Sequence, residues 1–304
     1  MRMKGHEYPS KYLAGRQGHL DVYVIPSFGS CKPEELKRRD IDQWLLYLKK
    51  PDGKPLAGST KNKIMYTMSL IFEELRDMEV LEKNPITGIR AFNKKPVRPR
   101  GVIDKIYMEK LFPESFDGLM QIWNSAMWAA LMLVLKDTGS RPGEVRALTW
   151  GDIDFCKRFI PFRKGVASGT TDRIKETKTG TVKAGFLTMR TIDTLKMWKR
   201  QSLYTEETGF VFTIDGKRPV SAVAVIRAFR RGMDNINASD KSWTPYWLRH
   251  SFGTYQMQNL SQEEIMKLMG HKAEAITRIY QHPDNEILYR SAEDIKKKLD
   301  KSRE

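Results

Sequence analysis

Apolar residues recur every three or four positions through long parts of this chain, a spacing that predicts mostly helices. Over residues 32–49, Leu36, Ile41, Trp44, Leu45 and Leu48 fall on one helical face. A second helix is expected where Ser59 or Thr60 can cap a run containing Ile64, Met68, Ile71, Phe72 and Leu75, with Lys61 and Lys63 in its first turns. Residues 8–28 are too irregular for an element to be assigned. Between Asn93 and Gly101 two prolines, a glycine and four basic residues interrupt the period. That composition predicts a linker at 96–102, joining a helical domain at 1–95 to a second domain at 103–304.

Beyond the linker, residues 123–136 are dense in Trp, Met, Leu and Ala and predict a buried helix that stops at Gly139. Three strand-like runs follow at 158–162, 173–177 and 184–188, the last two joined by a turn at Thr179 and Gly180. Helical spacing then returns at 189–203, 220–233, 246–258, 262–268 and 274–280. In a tail from residue 287, Leu288, Ala292, Ile295 and Leu299 form an amphipathic stripe. The fold class expected is therefore mainly α with a small antiparallel β-sheet. A helical N-terminal domain precedes an α+β domain.

With 40% apolar and 10% aromatic residues in 304, both domains can bury a core, which excludes a disordered basic chain. The formal charge of +16 adds a partner to the picture. Clustered lysines and arginines bind phosphates with release of counterions, so double-stranded DNA is the first candidate. Lys61, Lys63, Arg227, Arg230 and Arg231 are candidate backbone contacts, the last three on one side of the helix that begins near residue 220. No run approaches the ~18 apolar residues of a spanning helix, and the first residues lack the apolar core of a signal peptide. A cytoplasmic protein with no membrane partner is expected. Cys31 and Cys156 stand alone, without metal-ligand or disulfide spacing, and read as buried or idle thiols.

Four stretches carry candidate chemistry. They are Thr138-Gly139-Ser140-Arg141-Pro142-Gly143-Glu144, then Glu176-Thr177-Lys178-Thr179-Gly180, then Tyr246-Trp247-Leu248-Arg249-His250. The fourth is Leu268-Met269-Gly270-His271, with Tyr280 nine residues after its histidine. In this order and spacing they resemble the active-site boxes of the tyrosine recombinases, the integrase family. The resemblance implies a core-binding domain at 1–95 and a catalytic domain at 103–304, closed as a clamp around duplex DNA. It also implies a homotetramer on DNA that exchanges strands through a Holliday junction, with the C-terminal helix docking on a neighbouring protomer. Residues 23–29 resemble the region entering the core-binding domain of phage and genomic-island integrases, which often carry an arm-binding domain upstream for which this chain has little room.

The same resemblance assigns roles. Tyr280 would attack a phosphodiester and leave a 3′-phosphotyrosyl bond, which keeps the energy for rejoining, so no metal, nucleotide or other cofactor is needed. Arg141 and Arg249 would clamp the phosphate oxygens, since a guanidinium stays charged and presents a planar fork. Lys178, flanked by Lys175 and Lys183, would protonate the departing 5′ oxygen, and His271 would bind the phosphate or move the proton of the nucleophile. Glu144 could orient Arg141, and His250 is expected to be structural. One position departs from the family: the box that usually reads His-x-x-Arg begins here with Tyr246, a poor base near neutral pH but a capable hydrogen-bond donor. The rival functions are a type IB topoisomerase-like strand transferase and a DNA-binding regulator on the same scaffold with degraded catalysis.

Overall fold

A computed structural model describes residues 10–93, 102–167, 173–176 and 183–256. Lys178, His271 and Tyr280, the Thr179–Gly180 turn, most of the linker and the helices and tail expected after residue 258 lie outside the described residues. The chain divides into two compact units, Met1–Pro99 and Arg100–Glu304.

The first unit opens with α1 (Ser10–His19), a π-type turn (Leu20–Val24) and α2 (Ile25–Phe28), which follow one another without a gap. No element was assigned here from sequence. A π-type turn inserts an extra residue per turn and shifts the apolar face, which hides the helical period. Arg16 ties this segment down, donating to Lys63 O at 3.0 Å and Thr67 Oγ1 at 2.5 Å. The helix expected over 32–49 is in fact split. Pro33–Glu35 form a 3-10 turn, Leu36 and Lys37 are extended, and α3 spans Arg38–Tyr47. The next helix, α4 (Gly58–Asp77), starts earlier than expected, with Ala57 at its N-cap and no side-chain cap. Ile41 and Leu45 of α3 pack with Ile64, Met68 and Phe72 of α4 in the core of this unit.

Lys61 contradicts the expectation of a phosphate contact. It is 8% exposed, and its Nζ donates to Leu46 O at 2.5 Å near the end of α3 while lying 5.1 Å from the Phe92 ring centre. Its charge serves a helix end inside the unit. Lys63, two residues on, is exposed.

In the second unit, α5 (Lys105–Leu111) and α6 (Phe116–Trp123) precede α7 (Ala126–Thr138). Trp123 thus ends α6 and does not begin the buried helix. Asn124 adopts a left-handed φ of 59°, and Ser125 caps α7 by accepting from Trp128 N at 3.2 Å. Every residue from Ala129 to Val134 is fully enclosed, so α7 is the axis of the core. Asp137 near its end accepts from Thr188 N, Thr188 Oγ1 and Thr191 Oγ1 at 2.6–2.9 Å, which caps α9 (Met189–Gln201) against it.

Between α7 and α9 lie α8 (Pro142–Arg146) and four short strands, β1 (Phe159–Phe162), β2 (Lys164–Val166), β3 (Ile174–Glu176) and β4 (Lys183–Phe186). The expected pairing of 173–177 with 184–188 is not what forms. β1 pairs antiparallel with β4, Phe162 opposite Lys183, and β2 pairs antiparallel with β3, Lys164 opposite Glu176. Residues 159–162 and 164–166 are therefore the partners of the two predicted strands, in two separate two-stranded sheets. Alternation alone gives each strand a face but not a partner. Finally α10 (Ala222–Asn235) and α11 (Pro245–Gln256) pack on this core through Phe229 and Leu248. The architecture is the one expected in class, mainly helical with small antiparallel sheets.

Candidate active site

The site is built around the end of α7. Gly139 closes the helix in the left-handed region, φ 56°, and a Cβ there would lie 2.4 Å from Phe252 Cδ1 on α11. Glycine is required twice over, by conformation and by the approach of α11. The turn sends Ser140 inward, fully buried, and brings Arg141 to the N-cap of α8. Glu144, one turn along, answers Arg141 with both oxygens: Oε2 accepts from Arg141 N at 2.9 Å, and Oε1 pairs with its guanidinium at 2.7 Å. The expected orienting role of Glu144 has this geometric form.

α11 contributes Tyr246 and Arg249, three residues apart and so on one face. Arg249 is 2% exposed and donates to Gly139 O at 2.7 Å. The carbonyl end of a helix is a favourable place for a buried cation. The Tyr246 side chain lies beside both Arg141 and Arg249 and favours the charged form of each. His250 packs nearby, its ring tilted by 59° and centred 5.2 Å from that of Tyr246. The Arg141 side chain, by contrast with Arg249, is 46% exposed and faces solvent.

Lys183 is the residue that sequence reasoning passed over. It is 3% exposed, Nζ donates to Ser140 Oγ at 2.7 Å, lies 3.7 Å from Glu144 Oε2, and sits 5.2 Å from the Phe162 ring centre. A signal was available: it is the lone charge in the sequence run Val182-Lys183-Ala184-Gly185-Phe186. A charge flanked by apolar neighbours in a buried strand needs a partner.

These groups shift one another's ionisation. Burial alone would raise the Glu144 carboxyl, but Lys183, the Arg141 backbone N–H and the Arg141 guanidinium outweigh it and hold Glu144 below its ordinary value. Burial pushes Lys183 well below the usual lysine range, with Glu144 opposing and both arginines adding to the shift. Burial likewise lowers Arg249, reinforced by Arg141, whereas for Arg141 the pairing with Glu144 overcomes burial and raises it. Both guanidinium groups stay charged at any working pH. Three basic side chains thus surround a single carboxylate, an arrangement that suits an anion with several oxygens.

Among the described residues no group of three or more His, Cys, Asp or Glu is placed to hold a metal ion. Cys31 and Cys156 are both exposed, which corrects the buried alternative for them. Arg227, Arg230 and Arg231 are exposed on the outer face of α10, whose inner face buries Val225, Ala228, Phe229 and Met233. No single helix among the described residues is long and apolar enough to cross a membrane.

Comparison with known proteins bears on this geometry. The profile of the phage integrase family matches residues 109–286, more than half of the chain. An integrase of Streptomyces ambofaciens is 25% identical over 276 residues, covering 84% of this chain and 66% of its own length. The tyrosine recombinase XerC 2 of Ralstonia nicotianae is 24% identical over 264 residues, 86% of this chain and 72% of its own. Among solved structures, the Tn1549 transposon integrase in complex with a circular intermediate DNA superposes with a TM-score of 0.67 at 19% identity, covering 95% of each chain. A lambda integrase tetramer bound to a Holliday junction gives a TM-score of 0.59 at 18% identity, over 89% of this chain and 74% of that one. At these identities the structural likeness is one of fold.

Proposed function

The chain belongs to the phage integrase family of tyrosine-type site-specific recombinases, and from that premise we propose that it cuts and rejoins duplex DNA with Tyr280 as nucleophile. The observation that carries the reading is that Arg141 and Arg249 both lie beside the Tyr246 side chain, with Glu144 as the carboxylate that acts on each of them. Such a cluster is suited to the two non-bridging oxygens of a phosphodiester, whose charge grows as the phosphorus becomes five-coordinate.

In the step proposed, the Tyr280 oxygen bonds to phosphorus and the bond from phosphorus to the 5′ oxygen breaks. The phenol proton leaves by way of His271, and Lys178 supplies a proton to the 5′ oxygen. The 3′-phosphotyrosyl bond keeps the free energy of the phosphodiester, so a 5′ hydroxyl can reverse the attack without metal or nucleotide. Tyr246 takes the place where relatives of this family carry histidine, and offers its hydroxyl as a hydrogen-bond donor. His250 supports it by ring packing.

Residues 1–95 would grip the DNA as a helical domain through exposed bases such as Lys63, and the catalytic domain at 103–304 through Arg227, Arg230 and Arg231. We further propose four copies on DNA, with the amphipathic tail helix docking on a neighbour, in the cytoplasm where the DNA lies. The test is to incubate the protein with nicked duplex and look for protein-linked 3′ ends. Tyr280→Phe should bind DNA and form none. Protein-linked ends in that variant would assign the attack elsewhere, and relaxation of supercoils without site preference would favour a type IB topoisomerase-like activity.

A further inference from the structure

We propose that Lys183 is a positioning residue for the phosphate site, locking strand β4 to the turn that carries Arg141 and fixing the Glu144 carboxylate that aims it. The inference rests on the strand-transfer reading above. Its basis is geometric. Register sets Lys183 opposite Phe162, so that its stem and amine pass over that ring, 5.2 Å from its centre, and end against Ser140 Oγ at 2.7 Å. Ser140 is the residue before Arg141, and it is completely enclosed. The distance of 3.7 Å to Glu144 Oε2 is too long for a hydrogen bond but short for an ion pair in a water-poor setting.

Glu144 has two oxygens and three claimants. Oε1 holds the Arg141 guanidinium, while Oε2 takes the Arg141 N–H and faces Lys183. Without the amine, Oε2 loses the partner that fixes the carboxylate plane, and Oε1 can swing away from a guanidinium that is 46% exposed, which leaves Tyr246 as the other group beside it. Ser140 Oγ would also lose one of its two donors inside the core, keeping only Thr138 Oγ1 at 2.8 Å, which loosens the turn. A small misplacement of either group is costly, because a displacement of about 1 Å in a reacting constellation can cost on the order of 10²-fold in rate.

The experiment compares full-length wild type with Lys183→Met and Lys183→Arg in single-turnover cleavage of a nicked duplex, alongside DNA affinity and urea denaturation. Lys183→Met should bind DNA as wild type does but cleave roughly 10- to 100-fold slower, and Lys183→Arg should recover most of the rate. A substrate with sulfur at the 5′ bridging position should leave the Met variant slow, since positioning rather than proton donation is lost. Lys183→Met combined with Glu144→Gln should be no slower than Glu144→Gln alone, because both act through the same carboxylate. If Lys183→Met does not fold, Ser140→Ala removes only the hydroxyl partner and should slow cleavage in the same direction. A folded Met variant cleaving at the wild-type rate would overturn the inference. So would full recovery on the sulfur substrate, which would make Lys183 itself the proton donor, or, should the Met variant not fold, wild-type cleavage by Ser140→Ala. If wild type forms no covalent complex, the strand-transfer reading falls and this inference with it, a result distinct from the others.

Discussion

Tyr246→Phe isolates one hydroxyl at the position where this chain departs from its family. The ring should stay where it is, since Phe preserves its packing 5.2 Å from the His250 ring centre, and folding should be nearly unaffected. What disappears is the oxygen that lies within reach of Arg141 and Arg249 together. A hydrogen bond involving a charged group contributes about 1.5–3 kcal/mol, and each ~1.4 kcal/mol in a barrier is a factor of ten. If that hydroxyl acts on the scissile phosphate, or holds the two guanidinium groups at the spacing the phosphate needs, cleavage should slow by roughly 10- to 150-fold. The assay is single-turnover cleavage of a nicked suicide duplex, in which the short leaving strand diffuses away and religation cannot mask the rate. Tyr246→His should retain or raise activity, because imidazole also donates. Equal rates for wild type and Tyr246→Phe at unchanged DNA occupancy would refute the argument and remove Tyr246 from the site.

Lys178→Ala should cleave ordinary DNA slowly and recover selectively when the 5′ bridging atom is sulfur, which departs without a proton; no recovery would deny Lys178 the acid role. Gly139→Ala must force a left-handed φ of 56° on alanine and press its Cβ toward Phe252 at 2.4 Å. It should lower unfolding free energy by at least about 1–3 kcal/mol, seen as a fall in the urea midpoint, and an unchanged midpoint would contradict the packing described. Because Glu144 is held below its ordinary value of 4.5, its folded form binds fewer protons than its unfolded form in acid. Its contribution to stability is full above that ordinary value and is lost as pH falls through the lower folded one. The stability advantage of wild type over Glu144→Gln should therefore shrink as the solution is acidified below about pH 4.5, and an advantage independent of pH would count against the pairing.

The fold was legible in class and less so in detail. Long amphipathic or apolar stretches such as α4, α7 and α10 announce themselves, because helices of three turns or more repeat their face often enough to be read. Short elements do not. The seven residues of α5 and the eight of α6 offer about two turns each, and of α6 only its last residue, Trp123, is read from sequence, as the start of α7, from which Asn124 in the left-handed region separates it. The π-type turn at Leu20–Val24 erased the period of the opening helices. Strand pairing was missed for another reason. The runs at 173–177 and 184–188 have suitable composition, yet the partner of both is 159–166, a choice made by the core under β1 and not by either run alone.

The site divides along the same line between local and distant information. Arg141 with Glu144, and Tyr246 with Arg249, are pairs three residues apart on single helical turns, so their spacing is visible in sequence. Lys183 and Lys61 were misjudged because the fate of a lysine depends on what lies across from it: Ser140 is 43 residues from Lys183, and Leu46 is 15 from Lys61. The end of α7 is where these distant partners meet, with Gly139 supplying a carbonyl to Arg249, Ser140 an oxygen to Lys183, and Arg141 a guanidinium to Glu144. Burying that many basic groups around one carboxylate is unfavourable by itself, since desolvated charge requires compensation. The helix carbonyl and Glu144 supply part of it, while burial still holds Lys183 below the lysine range. On the proposed function, a phosphate diester entering beside Arg141 would complete the compensation, and a group that gains a further charge on its oxygens during reaction would complete it more fully. On that reading, the same surplus of positive charge is what would favour the five-coordinate phosphorus over the substrate.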